Sequence, residues 1–274
     1  MSAGTGARAG TGAGTRAPRA TGFFTDPTLC IGCKACEVAC KEWNQIPADG
    51  YEWSSLSYDH TRSLGGSTWR HVLFVEQDRP LGPQITGGDE PFRWVFLSDV
   101  CKHCANAGCL EACPTGAIFR NEFEAVYVQP DACNGCGYCI VACPFGVIGR
   151  REGDGRAFKC TLCYDRQLGG LVPACAKACP TEAIRFGVLE ELRPYAETRV
   201  ATLHARGYAD AALYTAEHTS VGGVHALSLV LGEPEAFGLP PGPEVPVAAL
   251  GAAWTAAALA AAAMLAAIAL AFTA

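Results

Sequence analysis

Sixteen cysteines fall into four groups, and every cysteine belongs to one of them. The first group, "CIGCKACEVAC", holds Cys30, Cys33, Cys36 and Cys40. The second holds Cys101, Cys104, Cys109 and Cys113, followed by Pro114. The third holds Cys133, Cys136, Cys139 and Cys143, followed by Pro144. The fourth holds Cys160, Cys163, Cys175 and Cys179, followed by Pro180. The tails repeat too: "CPTGAI" at 113, "CPFGVI" at 143 and "CPTEAI" at 179. Thiols at this density serve disulfides, zinc or iron–sulfur clusters. Zinc takes two Cys-x2-Cys pairs about 12 to 20 residues apart, which gives no reason for a third cysteine three residues on. A cubane [4Fe–4S] cluster takes four thiolates, one per iron. A Cys-x2-Cys-x2-Cys loop wraps three of its corners, and small residues such as Gly32, Ala35, Gly135 and Gly137 let the backbone come close. In runs that serve a pair of clusters the fourth cysteine reaches the other cluster. The proline after it turns the chain out of a short helix. Lys41 stands where the first run would have that proline, a departure at the exit turn that leaves four thiols in place.

Between and beyond these runs the chain reads as mixed α and β. "RHVLFVEQ" (70–77) and "FRWVFLSDVC" (92–101) have strand character, with a turn at 82–91. "EAVYVQPDAC" (124–133) reads as a strand entering the third run, and residues 195–214 as a helix. Half of the 274 residues are hydrophobic, so a buried core is expected. A net charge of −6 without a basic run excludes nucleic acid as a partner. The first 22 residues are Gly, Ala, Thr and Arg-rich with no apolar run. They read as a disordered tail rather than a secretory signal, and a reducing compartment that disfavours disulfides follows. After Glu244 no charge appears for thirty residues. Residues 247–274 are long enough to span a bilayer, which needs about 20 residues. Sixteen of those 28 residues are Ala, so this helix is expected to pack on another membrane helix, with Trp254 at headgroup level.

With these motifs in hand, the chain resembles the iron–sulfur subunits of membrane-bound molybdopterin oxidoreductases, and within them the beta subunit of formate dehydrogenase, over roughly residues 23–272. The narrower likeness rests on "CIGCKACEVACKEWN", then "RVATLHARGYADAALY" (199–214), "VGGVH" (221–225) and "GLPPGP" (238–243), then one terminal helix. Val224 departs from the Thr common in that family. The resemblance implies an α+β fold of two ferredoxin-like modules, each holding two [4Fe–4S] clusters, plus one C-terminal transmembrane helix. It implies that one module joins runs one and four and the other runs two and three. Cluster A would then have Cys30, Cys33, Cys36 and Cys179, and cluster B Cys160, Cys163, Cys175 and Cys40. Cluster C would have Cys101, Cys104, Cys109 and Cys143, and cluster D Cys133, Cys136, Cys139 and Cys113. Spacing alone allows run one to pair with run two equally well. All sixteen thiol positions are filled, so four [4Fe–4S] clusters are expected.

The expected segments are a tail (1–22), the first module (23–99), the second module (100–149), a return to the first (150–190), a linker or partner-contact segment (191–246) and the transmembrane helix (247–272). The resemblance further implies a non-catalytic electron-transfer subunit. Its partners would be a molybdopterin catalytic subunit, carrying molybdenum or tungsten, that oxidises formate, a membrane cytochrome b subunit, and quinone beyond it. It places the chain in the cell membrane with a single pass and the clusters on the outer face, the cytoplasmic face being the alternative. A subunit of a hydrogenase or another molybdopterin reductase, and a free-standing polyferredoxin, are the rival readings. No Walker loop, nucleotide-binding glycine motif or nucleophile elbow is present. His103 reads as a residue packed beside a cluster. His71, His204, His218 and His225 lack ligand spacing, so haem is expected only on a partner. Lys34, Lys102, Lys159 and Lys177 flank three runs, while Asn134 stands at the matching place in the third. A cluster potential that differs at site D follows as an expectation, against the alternative of solvated surface lysines.

Overall fold

The computed structural model describes residues 19–48, 59, 61–77 and 93–273. The turn expected at 82–91 and most of the expected tail lie outside these residues. The strands are β1 (Thr21–Thr25), β2 (Arg70–Gln77), β3 (Arg93–Val100), β4 (Ile118–Arg120), β5 (Val126–Val128), β6 (Gly149–Arg150), β7 (Ala157–Phe158), β8 (Ile184–Val188), β9 (Ala211–Tyr214) and β10 (Ala226–Leu231). The helices are α1 (Ala35–Trp43), α2 (Gly108–Glu111), α3 (Tyr138–Val141), α4 (Tyr164–Leu168), α5 (Ala174–Lys177), α6 (Leu189–Ala205) and α7 (Leu250–Thr273). A four-stranded sheet runs in the order β8-β1-β10-β9. Among the described residues, three two-stranded pairs, β2-β3, β4-β5 and β6-β7, accompany it.

The strands frame the cysteine runs. β1 leads into run one, β8 leaves run four, and the two pair antiparallel with Phe23 opposite Phe186. β4 leaves run two and β5 leads into run three, and they pair with Ile118 opposite Val128. Alternation along β1 splits its aromatic side chains between two cores. Phe24 joins Leu227, Leu229, Leu192 and Leu203 beneath α6. Phe23 joins Val72, Ile184 and Leu162 among the buried cysteines. The β2-β3 hairpin spans both cores, with Val75 and Leu97 in the first and Val72 and Val100 in the second.

Three expectations change. Thr21 and Gly22 fall inside the segment read as a tail, yet they are buried in β1. The thin glycine-threonine signal is outweighed by pairing on both sides, antiparallel to β8 and parallel to β10. The helix expected at 195–214 begins at Leu189 and ends at Ala205. Pro194 lies within it, which hid its first turn, and Gly207 at φ 93° ends it, the usual left-handed glycine after a helix. Residues 211–214 are instead β9, paired with β10. The strand expected at 124–133 shrinks to β5, because Pro130 starts a 3-10 turn through Ala132.

The "VGGVH" segment braces the second run by backbone bonds. The Ala105 and Asn106 amides donate to the Gly223 and Val221 carbonyls at 2.9 and 2.7 Å, and the His225 amide donates to the Lys102 carbonyl at 2.8 Å. Beyond it, the 3-10 turn Pro246–Ala249 packs on α2 and leads into α7. That helix is long and apolar enough to cross a membrane, and its described side chains are exposed throughout.

A Cβ at Gly22 would collide with the His225 carbonyl oxygen where β1 meets β10. Gly22→Ala should therefore cost about 1–3 kcal/mol, read as a lower midpoint in chemical denaturation of the full chain, whereas a disordered tail would tolerate it. Burial, and then the charge of Arg120, depress His225 from its usual 6.5 to about 4. The unfolded chain takes up this proton near 6.5 and the folded chain does not, so stability is complete above 6.5 and is lost as pH falls toward 4. The loss is on the order of 3 kcal/mol at 1.36 per unit. In His225→Gln the stability slope between those pH values should be shallower by one proton, and an unchanged slope would refute it.

Candidate iron–sulfur centres

The same local geometry recurs in each run. The residue before the second cysteine is left-handed in all four: Gly32, His103, Gly135 and Leu162, at φ 67°, 45°, 73° and 56°. Two of the four are not glycine, a conformation that costs roughly 1–3 kcal/mol at such residues and persists where the surroundings enforce it. The third cysteine then enters a helix: Cys36 on α1, Cys109 on α2, Cys139 on α3 and Cys175 on α5. The fourth follows four residues later. In runs two, three and four the helix lasts only four residues, because the Cys-Pro step cannot continue it. The turn after Pro114 then aims donors at Cys113. Burial pushes that thiol up, but the Thr115 hydroxyl and the amides of Thr115, Ile118 and Ala117 bring it below its usual value.

Run one solves the exit differently. With Lys41 in place of proline, α1 continues to Trp43. The Asn44 side-chain amide donates to the Cys40 carbonyl at 2.8 Å and to its sulfur at 3.7 Å. Lys41 donates to the carbonyls of Ser67 and Pro47 at 2.7 and 3.2 Å, tying the exit down. The fourth thiol thus keeps a donor without a proline turn.

Three hollows are each lined by four cysteines. The first holds Cys30, Cys33, Cys36 and Cys179, the second Cys101, Cys104, Cys109 and Cys143, and the third Cys113, Cys133, Cys136 and Cys139. The remaining four, Cys40, Cys160, Cys163 and Cys175, are buried and adjacent: burial, and then the nearness of Cys160, Cys175 and Cys163, push the Cys40 thiol well up. We label these sites A, C, D and B in that order. The long-range neighbours are therefore those of runs one and four, and of runs two and three.

The sites adjoin in sequence A–B–C–D. Cys36 of A feels Cys175 of B, Cys160 of B feels Cys101 of C, and Cys109 of C feels Cys139 of D. Cys33 and Cys136, on the outermost sites, are exposed. Burial drives the inner thiols upward: Cys36 and Cys109 to about 12, Cys139 and Cys163 to about 11, and Cys104 and Cys160 further still. Such thiols give up protons only to a strong compensating charge.

The donor set suits a polynuclear cluster. Among the described residues, no three His, Cys, Asp or Glu side chains converge tightly enough to hold a single ion. Four sulfurs instead stand around a volume, as a cubane requires. His103 is buried against site C, and burial and the nearby charge of Lys159 hold it neutral. Of the flanking lysines, Lys102 and Lys159 are buried, so for these two the solvated-surface reading is wrong, while Lys177 is exposed. The sequence reading missed Arg70. It is buried with its Nη2 3.2 Å from the Cys175 sulfur. The available signal was a cation heading an otherwise apolar strand, "RHVLFV".

Two family models, each described as a 4Fe–4S dicluster domain, match residues 29–117 and 92–189. The formate dehydrogenase iron–sulfur subunit of Haemophilus influenzae is 41% identical over 224 residues, 80% of this chain and 68% of the relative. The formate dehydrogenase-O iron–sulfur subunit of Escherichia coli is 39% identical over 273 residues, 92% of this chain and 87% of the relative. The B subunit of anaerobic dimethyl sulfoxide reductase from the same organism is 36% identical over 172 residues, 63% of this chain and 75% of the relative. At these identities and coverages, this chain belongs to the family of formate dehydrogenase iron–sulfur subunits.

Proposed function

We propose that the chain is the electron-transfer subunit of a formate dehydrogenase and holds four [4Fe–4S] clusters in the order A, B, C, D. The observation that carries this reading is the gathering of sixteen thiols into four adjoining groups of four. Bound there, the clusters would accept and release one electron at a time. Cys30, Cys33, Cys36 and Cys179 hold the first; Cys40, Cys160, Cys163 and Cys175 the second. Cys101, Cys104, Cys109 and Cys143 hold the third; Cys113, Cys133, Cys136 and Cys139 the fourth. Formate oxidation belongs to a molybdopterin partner carrying molybdenum or tungsten.

The anchor supports a direction of flow. The turn ahead of α7 rests on α2, which carries Cys109 and leads to Cys113. Sites C and D would therefore lie at the membrane end, and site A at the end that meets the catalytic partner. Electrons would leave site D for a membrane cytochrome b and quinone. The chain would cross the cell membrane once with its clusters on the outer face. The wider coverage by formate dehydrogenase subunits than by the dimethyl sulfoxide reductase subunit favours formate as the source.

Two measurements test this. In the complex isolated anaerobically from membranes through a tag on this chain, formate should reduce a dye and a large molybdenum- or tungsten-containing subunit should copurify. A complex inactive with formate would move the donor elsewhere. In paramagnetic resonance spectra, Cys30→Ser and Cys179→Ser should disturb one and the same signal, and Cys40→Ser and Cys175→Ser another. If Cys40→Ser instead disturbed the signal shared with Cys101→Ser, run one would pair with run two and the ligand sets above would be wrong.

A further inference from the structure

Two cations lie buried among the cysteines without a carboxylate partner among the described residues. Arg70, 1% exposed, heads β2. Its Nη2 is 3.2 Å from the Cys175 sulfur of site B. Its Nη1 donates to the Ser98 carbonyl at 3.1 Å and lies 3.4 Å from the Ser98 hydroxyl, which in turn is 3.2 Å from the Cys36 sulfur of site A. The guanidinium sits over Phe23, 4.6 Å from the ring centroid. Lys159, 2% exposed, donates to the Cys160 carbonyl of site B at 3.1 Å and to the Val126 carbonyl, and it lines the cavity of site C. One cation thus stands at the A–B junction and the other at the B–C junction.

The other candidates differ. Lys102 is buried but paired with Asp99, and Lys34 is paired with Glu37 and Asp59. Among the described residues no Lys or Arg lines the hollow of site D, and Arg156 near it pairs with Asp154 and Asp131 at the surface. An uncompensated buried charge costs several kcal/mol, so Arg70 and Lys159 need a negative partner in the finished protein. Four thiolates around an iron–sulfur core supply it, and one-electron reduction adds a further unit of negative charge beside each cation.

We propose that Arg70 and Lys159 are positioning residues of the electron path, each raising the reduction potential of the two clusters it lies between. This rests on the four-cluster reading above. Site B feels both cations, A only Arg70, C only Lys159, and D neither. That pattern is the signature. A cation acting by structure alone would not move potentials two sites at a time along the row.

The test is a potentiometric titration of the full chain in its isolated complex. Dithionite serves as reductant and ferricyanide as oxidant, with each cluster followed by its resonance signal assigned through the cysteine variants. Lys159→Gln should lower the reduction equilibrium constants of B and C roughly tenfold, about 59 mV for a one-electron couple, and leave A and D. Arg70→Gln should lower A and B to a similar degree and leave C and D. Lys159→Arg and Arg70→Lys, which keep the charge, should restore most of each shift. Unmoved potentials with all clusters present would overturn the proposal, as would an equal shift at all four sites. Loss of iron from the Gln variants, and again from Lys159→Met, would assign the cations to assembly and overturn it too. Fewer than four clusters in the unsubstituted chain would overturn both this proposal and the four-cluster reading, whereas four clusters with unmoved potentials overturn this one alone.

Discussion

The four-residue step between the third and fourth cysteine of each run ties the molecule together. Cys36 faces site A and Cys40 site B, while Cys175 faces B and Cys179 faces A. Cys109 and Cys113 divide in the same way between C and D, and Cys139 and Cys143 between D and C. Each short helix is therefore a strut between two neighbouring sites. Two struts per module, α1 with α5 and α2 with α3, pack against each other. Everything else holds these struts in register. β1 against β8 closes the first module across more than 150 residues of sequence, and β4 against β5 closes the second across a short turn.

That arrangement sets a charge problem. Thiols this deeply buried resist ionisation, Cys36 and Cys109 reaching about 12. The chain relieves it by distance-graded means. At the outer sites Cys33 and Cys136 are exposed to solvent. At Cys113, amides and a hydroxyl at the exit turn stabilise the thiolate. In the interior, where water is excluded, whole cations stand at the junctions, Arg70 beside Cys175 and Lys159 beside Cys160. The inner sites thus have charge compensation that does not depend on solvent.

The candidate site was largely legible in the sequence, because ligand spacing is a local property and a cubane leaves few ways to place three thiols within the seven residues they span in runs one and three. The pairing of runs was not, since Cys179 comes beside Cys30 only through the β1–β8 pairing, a contact between distant segments. Arg70 escaped notice for the same reason: its role comes from a strand that follows run one yet lies against run four. The exit of run one shows how a local rule is bent. Lys41 breaks the proline pattern, and the compensation, the Asn44 amide on Cys40, sits three residues on where no spacing rule looks. The tail reading failed at Thr21 and Gly22 because composition describes a segment's own tendency and not the sheet waiting to receive it. The apolar C-terminal helix was legible from composition alone, for its exposed length is what an uncharged stretch demands.

The central claim is that four groups of four thiols each enclose a cubane. Mössbauer spectroscopy of the iron-57-enriched full chain, isolated anaerobically, tests it most directly. The account predicts that all the iron gives [4Fe–4S] spectra and that four clusters are present per chain. Spectra of isolated tetrahedral iron, or cubane iron enough for only two clusters, would contradict it.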